Sequence, residues 1–411
     1  MATYNTHTLD NGLRVIHLAE DSEVVYCGYA IKAGTRNEAS DNEAGLAHFC
    51  EHMTFKGTKR RSSLQVINTL ERLGGELNAF TAKEETVYYA AVLRQYYDRA
   101  TDLLTDIVFH SEYPQAAVER EIEVVCDEIE SYNDSPAELI YDEFENHIFK
   151  HSSLGHNILG TPGSVHSFTS DDCKRFTKKL YTPDRAVFYI VGNIDFDKLV
   201  KRLEKSTPPP QSCRESLSQA TTHHQFDTTT DWKELNLNTH QNHVMLGTSI
   251  TNDMEQWRMP LFLVNNILGG PGMNSRLNVS LREKRGLVYT VESIMTAYTD
   301  ALVWSVYFGC DKADTNRCCR LTMSEIHRLQ NSPLSQSALM AAKRQIKGQL
   351  ALASQNRESF AIDMAKQYLH YGKLRHNSEL FQRIDKVTAD DIHRLMNEHL
   401  TEDRLKKIII K

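Results

Sequence analysis

The sequence predicts an α+β protein of two homologous domains, each with helices packed on a mostly antiparallel β-sheet. Three observations carry this. In the first half, β-branched and aromatic strand runs come early and helical runs follow, so the two segregate. The halves close alike: KKLYTPDRAVFYIVGN (178–193) and NEHLTEDRLKKIIIK (397–411) both read as a helix end, a T-x-D-R turn and an apolar strand. Between them KSTPPPQSCRESLSQATTHHQF (205–226) is rich in Pro, Ser and Thr, lacks apolar periodicity, and reads as a linker. The expected domains are 1–204 and 227–411.

Each element has a local reason. LRVIHLA (13–19) and VVYCGYAIKAG (24–34) read as strands. Helices follow at about 43–56 and 63–73, the second stopped by Gly74-Gly75. ELNAFTAKEETVYYAAVL (76–93) reads as the two strands of a hairpin. Helices return at about 95–110, 115–132 and 136–149. Ser135-Pro136-Ala137-Glu138 predicts a capping box with Pro at the first helical position. In the second half SALMAAKRQIKGQLALA (337–353) answers AAVEREIEVVCDEIES (116–131) as a long helix.

Composition narrows the function. The 411 residues are 40% hydrophobic with a formal net charge of −7 and no long basic run, which argues against a general nucleic-acid binder. No apolar run approaches the ~18 residues that span a bilayer, so no membrane association is expected. MATYNTHTLDNGLRVIHLAED reads as neither a signal nor a transit peptide. The eight cysteines form no C-x-x-C pair, and reduced thiols in the cytoplasm are the expectation.

GLAHFCEHMTFKGT (45–58) holds the chemistry. On a helix His48 and His52 are four apart and share a face, with Glu51 at its edge. Cys50 then points away from the histidines, into the core. A catalytic zinc site needs a third protein ligand, usually distant in sequence. Glu121 and Glu128 lie seven apart on one predicted helix, two turns along one face, and offer one ligand and one supporting carboxylate.

H-x-x-E-H is the inverted zincin motif. His48-Phe49-Cys50-Glu51-His52 with Glu121 and Glu128 resembles the pitrilysin family of zinc metallopeptidases, the inverzincins. GGELNAFTAKEETVYY (74–89), LGHNILGTPGSVHSFT (154–169) and RLNVSLREKRGLVYTVES (276–293) extend the likeness over nearly the whole chain. The resemblance implies Glu128 as third ligand, 76 positions beyond His52, and Glu121 as a supporting acid. It implies Zn2+ as cofactor and a zinc metalloendopeptidase acting on peptides or unstructured segments. Zinc would lower the pKa of a held water to about 7, with Glu51 as general base.

The resemblance also assigns Arg282 and Tyr289 to the oxyanion of the intermediate; on the residues alone they read as a surface charge and a half-buried strand tyrosine. Substrate would add as a strand to an exposed sheet edge; by the resemblance that edge is the strand around Tyr26–Gly34, and Asn78 and Ala79 would touch the substrate main chain. The glycine-rich LGGPGMNSRL (268–277) is no phosphate loop, lacking G-K-[ST]. On the residues alone it reads as a mobile loop between helices; the resemblance suggests a flexible loop facing the peptide chamber. The second half has PLFLVNNILGG (260–270) where the first has the motif, so one chain carries one site. Four such domains enclose the family's chamber, which makes a homodimer the expected assembly, Arg282 and Tyr289 reaching the partner's zinc. The rival reading is a non-catalytic scaffold of the same fold; such chains have eroded motifs, and here every expected position is filled.

Overall fold

A computed structural model describes residues 4–150, 152–210, 232–374 and 376–411. Along the chain the first elements are β1 (Tyr4–Thr8), β2 (Arg14–Leu18), β3 (Val24–Ile31), α1 (Leu46–Thr54), α2 (Ser63–Glu71), β4 (Glu76–Thr81) and β5 (Thr86–Leu93). Then come α3 (Tyr97–His110), α4 (Gln115–Asn133), α5 (Pro136–Ile148), α6 (Pro162–Val165), α7 (Ser170–Leu180), β6 (Ala186–Val191) and α8 (Phe196–Ser206). The remainder is β7 (Trp232–Leu235), β8 (Asn242–Ile250), α9 (Met254–Gly269), β9 (Val288–Ala297), β10 (Leu302–Cys310), α10 (Thr315–Asn331) and α11 (Gln336–Ala353). It ends with α12 (Arg357–Tyr371), α13 (Asn377–Lys386), α14 (Ala389–His399) and β11 (Lys406–Ile410).

These elements form two compact units. The first holds a six-stranded sheet in the order β1-β2-β6-β3-β5-β4, antiparallel except for the β2–β6 pair. The second holds β7-β11-β8-β10-β9, antiparallel except for β7–β11. From β2 onward the two orders match strand for strand, which is how a duplicated α+β domain appears in three dimensions.

Both faces of the first sheet are covered, and residue parity decides which side chain goes where. Val15, Tyr29 and Phe188 join a core under α1, α3, α4, α7 and α8. Ile16, Ala30 and Val187 face the other way, onto Ala361, Met364, Ala365 and Leu369 of α12. The central strand β6 is therefore buried at every position. The second sheet is built the same way, with Met245, Val303 and Ile408 facing Leu139, Ile140 and Phe144 of α5. The units thus exchange one helix each: α5 comes from the first half of the chain and α12 from the second. The linker stretch lies mainly outside the described residues; its first residues finish α8, and Asn11 Nδ2 donates to Thr207 Oγ1 at 2.8 Å and to the Pro208 carbonyl at 2.7 Å.

Two local expectations are corrected. β3 is no edge, because it pairs antiparallel with β5 on one side and β6 on the other. The open edge beside α1 is β4, the strand that carries Asn78 and Ala79. Helix α5 starts at Pro136 as expected, but Ser135 forms no side-chain cap. At φ −106° and ψ 89° its backbone carbonyl takes the Glu138 and Leu139 amides. Full capping boxes form at Ser62–Gln65, Thr161–Ser164, Thr169–Asp172 and Thr388–Asp391.

Candidate metal centre

Helix α1 begins abruptly. Its N-cap is Gly45 at φ +90°, where a side chain would be strained and a Cβ would meet the Leu159 carbonyl at 2.5 Å. The cap offers no side-chain acceptor, so the first amides need another. The buried Glu38 supplies it: its Oε1 accepts from the Gly45 amide at 3.1 Å and the Ala47 amide at 3.0 Å. Burial raises the Glu38 carboxyl, opposed by a hydrogen bond from His156 and by those two amides. This fixes the start of the helix that bears the motif.

Along α1, Leu46, Ala47, Phe49, Cys50 and Met53 enter the core. His48, Glu51 and His52 occupy the opposite arc, the histidine rings 4.6 Å apart at 64°. Helix α4 brings Glu121 and Glu128 to them. Glu128 Oε2 is 3.4 Å from His52 Nε2, and Oε1 is 3.9 Å from His48 Nε2. These three residues offer ligand atoms all within 4.8 Å of one another, the one such cluster among the described residues. Donors around a tetrahedral ion at ~2.0–2.2 Å stand about 3.3–3.6 Å apart, so the set fits zinc with a small closing movement.

The surrounding contacts fit as well. His52 Nδ1 donates to Glu121 Oε1 at 3.0 Å, which leaves Nε2 free to ligate. Glu121 Oε2 is in turn paired with Lys56 Nζ at 2.6 Å. Burial works to raise the Glu121 carboxyl, but the His52 and Lys56 contacts outweigh it and hold the group ionised. His48 is pushed down to about 4 by burial, with His52 adding to the effect, and so is neutral as a ligand must be. Without a metal His52 is raised to about 9: burial opposes this, and the hydrogen bonds to Glu121 and Glu128 win, so metal binding has to displace a proton from it.

Glu51 is buried beside these donors. Its Oε2 accepts from Thr81 Oγ1 at 2.7 Å. Burial raises its carboxyl, partly offset by the Thr81 bond and by His52. Cys50 lies in the core, its thiol 4.0 Å from the Cys173 carbonyl. Asn78 is exposed on β4 and Ala79 half-buried.

Arg282 and Tyr289 belong to the second unit. Residues Asn278–Glu283 form a π-helical stretch, a feature frequent at functional sites, and Arg282 lies within it. Its guanidinium lies over the Tyr289 ring at 5.4 Å from the centroid. Tyr289 is 83% exposed at the start of edge strand β9, not half-buried. Three supporting residues escaped the sequence reading: Lys56 and Thr81, which touch Glu121 and Glu51, and Glu38, which holds the start of α1. Lys56 and Thr81 stood in quoted motifs, at four after His52 and three after Asn78, but nothing local marks a contact partner.

Comparison with known proteins shows the family. The profile described as Insulinase (Peptidase family M16) matches residues 14–162. A second, Peptidase M16 inactive domain, matches residues 167–346. The uncharacterized zinc protease YmxG of Bacillus subtilis (strain 168) is 32% identical over 399 residues, covering 97% of this chain and 96% of that protein. An uncharacterized zinc protease of Rickettsia bellii (strain RML369-C) is 30% identical over 410 residues, covering 99% and 97%. In three dimensions a protease from Helicobacter pylori superposes with a TM-score of 0.90 at 21% identity over the whole of both chains. A peptidase M16 inactive domain from Pseudomonas fluorescens superposes at 0.85 with 18% identity, covering 99% and 98%. At those identities the two structures speak for the fold. By sequence match over nearly its full length, the chain belongs to peptidase family M16, in its two-domain form.

Proposed function

We propose that the protein is a zinc-dependent endopeptidase that cuts peptides and unstructured polypeptide segments. The observation that carries this reading is the convergence of His48, His52 and Glu128 beside the buried Glu51, next to an open strand edge. His48, His52 and Glu128 would hold the ion. Bound zinc supplies a Lewis acid that acidifies water and polarises the scissile carbonyl. Glu51 takes a proton as the water oxygen attacks the carbonyl carbon, then delivers it to the nitrogen as the C–N bond breaks. Glu121 and Lys56 orient His52.

The substrate strand would dock on β4. The Ala82 amide bonds the Glu85 carbonyl at 2.8 Å across the hairpin turn. Counting back by twos, Phe80 and Asn78 turn their backbone groups inward to β5. Leu77, Ala79 and Thr81 turn theirs outward, three positions where an extended chain can pair. Ala79 then meets substrate through its main chain and Asn78 through its side chain. Pairing by main chain makes extended, unfolded segments the substrate. The exposure of Arg282 and Tyr289 supports a role on the substrate oxyanion, contributed across a homodimer chamber.

Among the described residues no helix is long and apolar enough to cross a membrane. The seven described cysteines are unpaired, which fits the reducing cytoplasm as compartment. The test is cleavage of an internally quenched, unstructured peptide by wild-type and Glu51→Gln chains. Activity that falls about 10²–10⁴-fold in a folded, zinc-loaded Glu51→Gln chain is expected. Equal activity in the two would refute the reading.

A further inference from the structure

Thr81 closes edge strand β4. Strand parity puts it on the same face as Leu77 and Ala79, which pack against the helix-side core. Its hydroxyl lies 2.7 Å from Glu51 Oε2 and 3.5 Å from Thr86 Oγ1. A threonine has one hydroxyl proton to give. Thr86 spends its own on the Ala33 carbonyl at 2.8 Å, and an ionised carboxylate only accepts. The Thr81 hydroxyl therefore donates to Glu51 Oε2.

The bond is sheltered at both ends, since Thr81 and Glu51 are each 9% exposed. β-Branching restricts the Thr81 rotamer, and its place in β4 opposite Thr86, between the bonded pairs Phe80/Val87 and Ala82/Glu85, holds its backbone. A carboxylate on a helix next to two imidazoles has rotameric freedom that this contact removes.

We propose that Thr81 is a positioning residue for Glu51, holding the carboxylate in one orientation from the strand on which substrate docks. The proposal rests on Glu51 being the general base. Thr81 touches neither the metal ligands nor, through its side chain, the outer edge of β4. Its loss therefore falls on the chemical step and spares both zinc and substrate binding.

The test uses the zinc-loaded full-length chain and a quenched unstructured peptide. Thr81→Val keeps the shape and removes the hydroxyl; Thr81→Ser keeps the hydroxyl. Thr81→Val is expected to lower kcat about 10–100-fold with KM within about twofold and the zinc content of the wild type, and Thr81→Ser to recover most of the loss. A wild-type kcat in Thr81→Val beside an inactive Glu51→Gln overturns the proposal and leaves the role of Glu51 standing. Activity kept in Glu51→Gln overturns the role of Glu51 itself. A second measurement needs no turnover: melting of the metal-free proteins in a cycle of Thr81→Val and Glu51→Leu. Thr81→Val should lower the melting temperature of the wild type and not that of Glu51→Leu, where the hydroxyl has already lost its acceptor. Equal shifts in both backgrounds overturn the pairing.

Discussion

Helices α1 and α9 occupy matching places, each against the edge strand of its own sheet, and they solve that place differently. Helix α9 reads MEQWRMPLFLVNNILG and buries Trp257, Leu261, Leu263, Val264 and Leu268. Its polar contribution is structural: Asn265 Oδ1 accepts from Ser293 Oγ at 2.7 Å. Helix α1 reads LAHFCEHMT and buries an apolar stripe of the same kind, but adds His48, Glu51 and His52 on the opposite arc. The fold asks only for the stripe. The candidate metal ligands and Glu51 are an addition to that stripe, and their surroundings include contacts from Lys56, Thr81 and Glu121 and a helix start held by Glu38.

The largest way to break this contrast is His52→Ala. It should abolish zinc binding and lower peptide cleavage by at least about 10³-fold, with the melting curve of the metal-free protein little changed. A collapse of the metal-free fold would mean that the histidine arc is structural after all. Next is the second unit. If it were mere support, Tyr289→Phe would leave kcat intact; we expect a loss of about 10²–10³-fold at unchanged zinc content. Mixing that chain with Glu51→Gln should restore activity if the site is shared between subunits, and mixed dimers without recovery would rule sharing out.

Smaller is Lys56→Met. Freed from Lys56, Glu121 holds His52 less firmly, and zinc affinity measured against a competing chelator should fall about 10–100-fold. The smallest effect lies on the far side of the first sheet, where Glu85 accepts from His370 Nε2 at 2.8 Å and pairs with Lys366 Nζ at 2.7 Å. Burial raises the Glu85 carboxyl, but His370 and Lys366 outweigh it, so its folded pKa is lowered. A lowered folded value stabilises above the unfolded pKa, and that stability is lost as pH falls through the folded one. Glu85→Gln should lower the melting temperature by about 2–4 °C at neutral pH and converge with wild type in acid. A constant offset at every pH would show that the pair does not couple to protons.

Local pattern made part of this molecule legible. His48 and His52 are readable because helical spacing is a local property, and the β4–β5 hairpin because its turn is short. Glu128 was not readable from spacing alone, since acidic pairs are common on exposed helices; its assignment came from the family likeness. The misplaced edge has a non-local cause. β3 becomes interior only because β6 arrives beside it from more than 150 positions later. Thr81 and Lys56 were hidden for the same reason: each sits in a recognisable motif, but its partner is set by how β4 and α4 pack around α1. Amphipathic patterning likewise announces that α5 and α12 each have an apolar face, not which sheet will receive it.

That exchange of α5 and α12 bears on how such a chain could have arisen. A lone half, before duplication, would have left one face of its sheet bare and one helix without a seat. Two copies lending each other that helix would have satisfied both at once. A chain cut in the linker is therefore expected to give halves that do not fold alone, each lacking the helix that covers one face of its sheet.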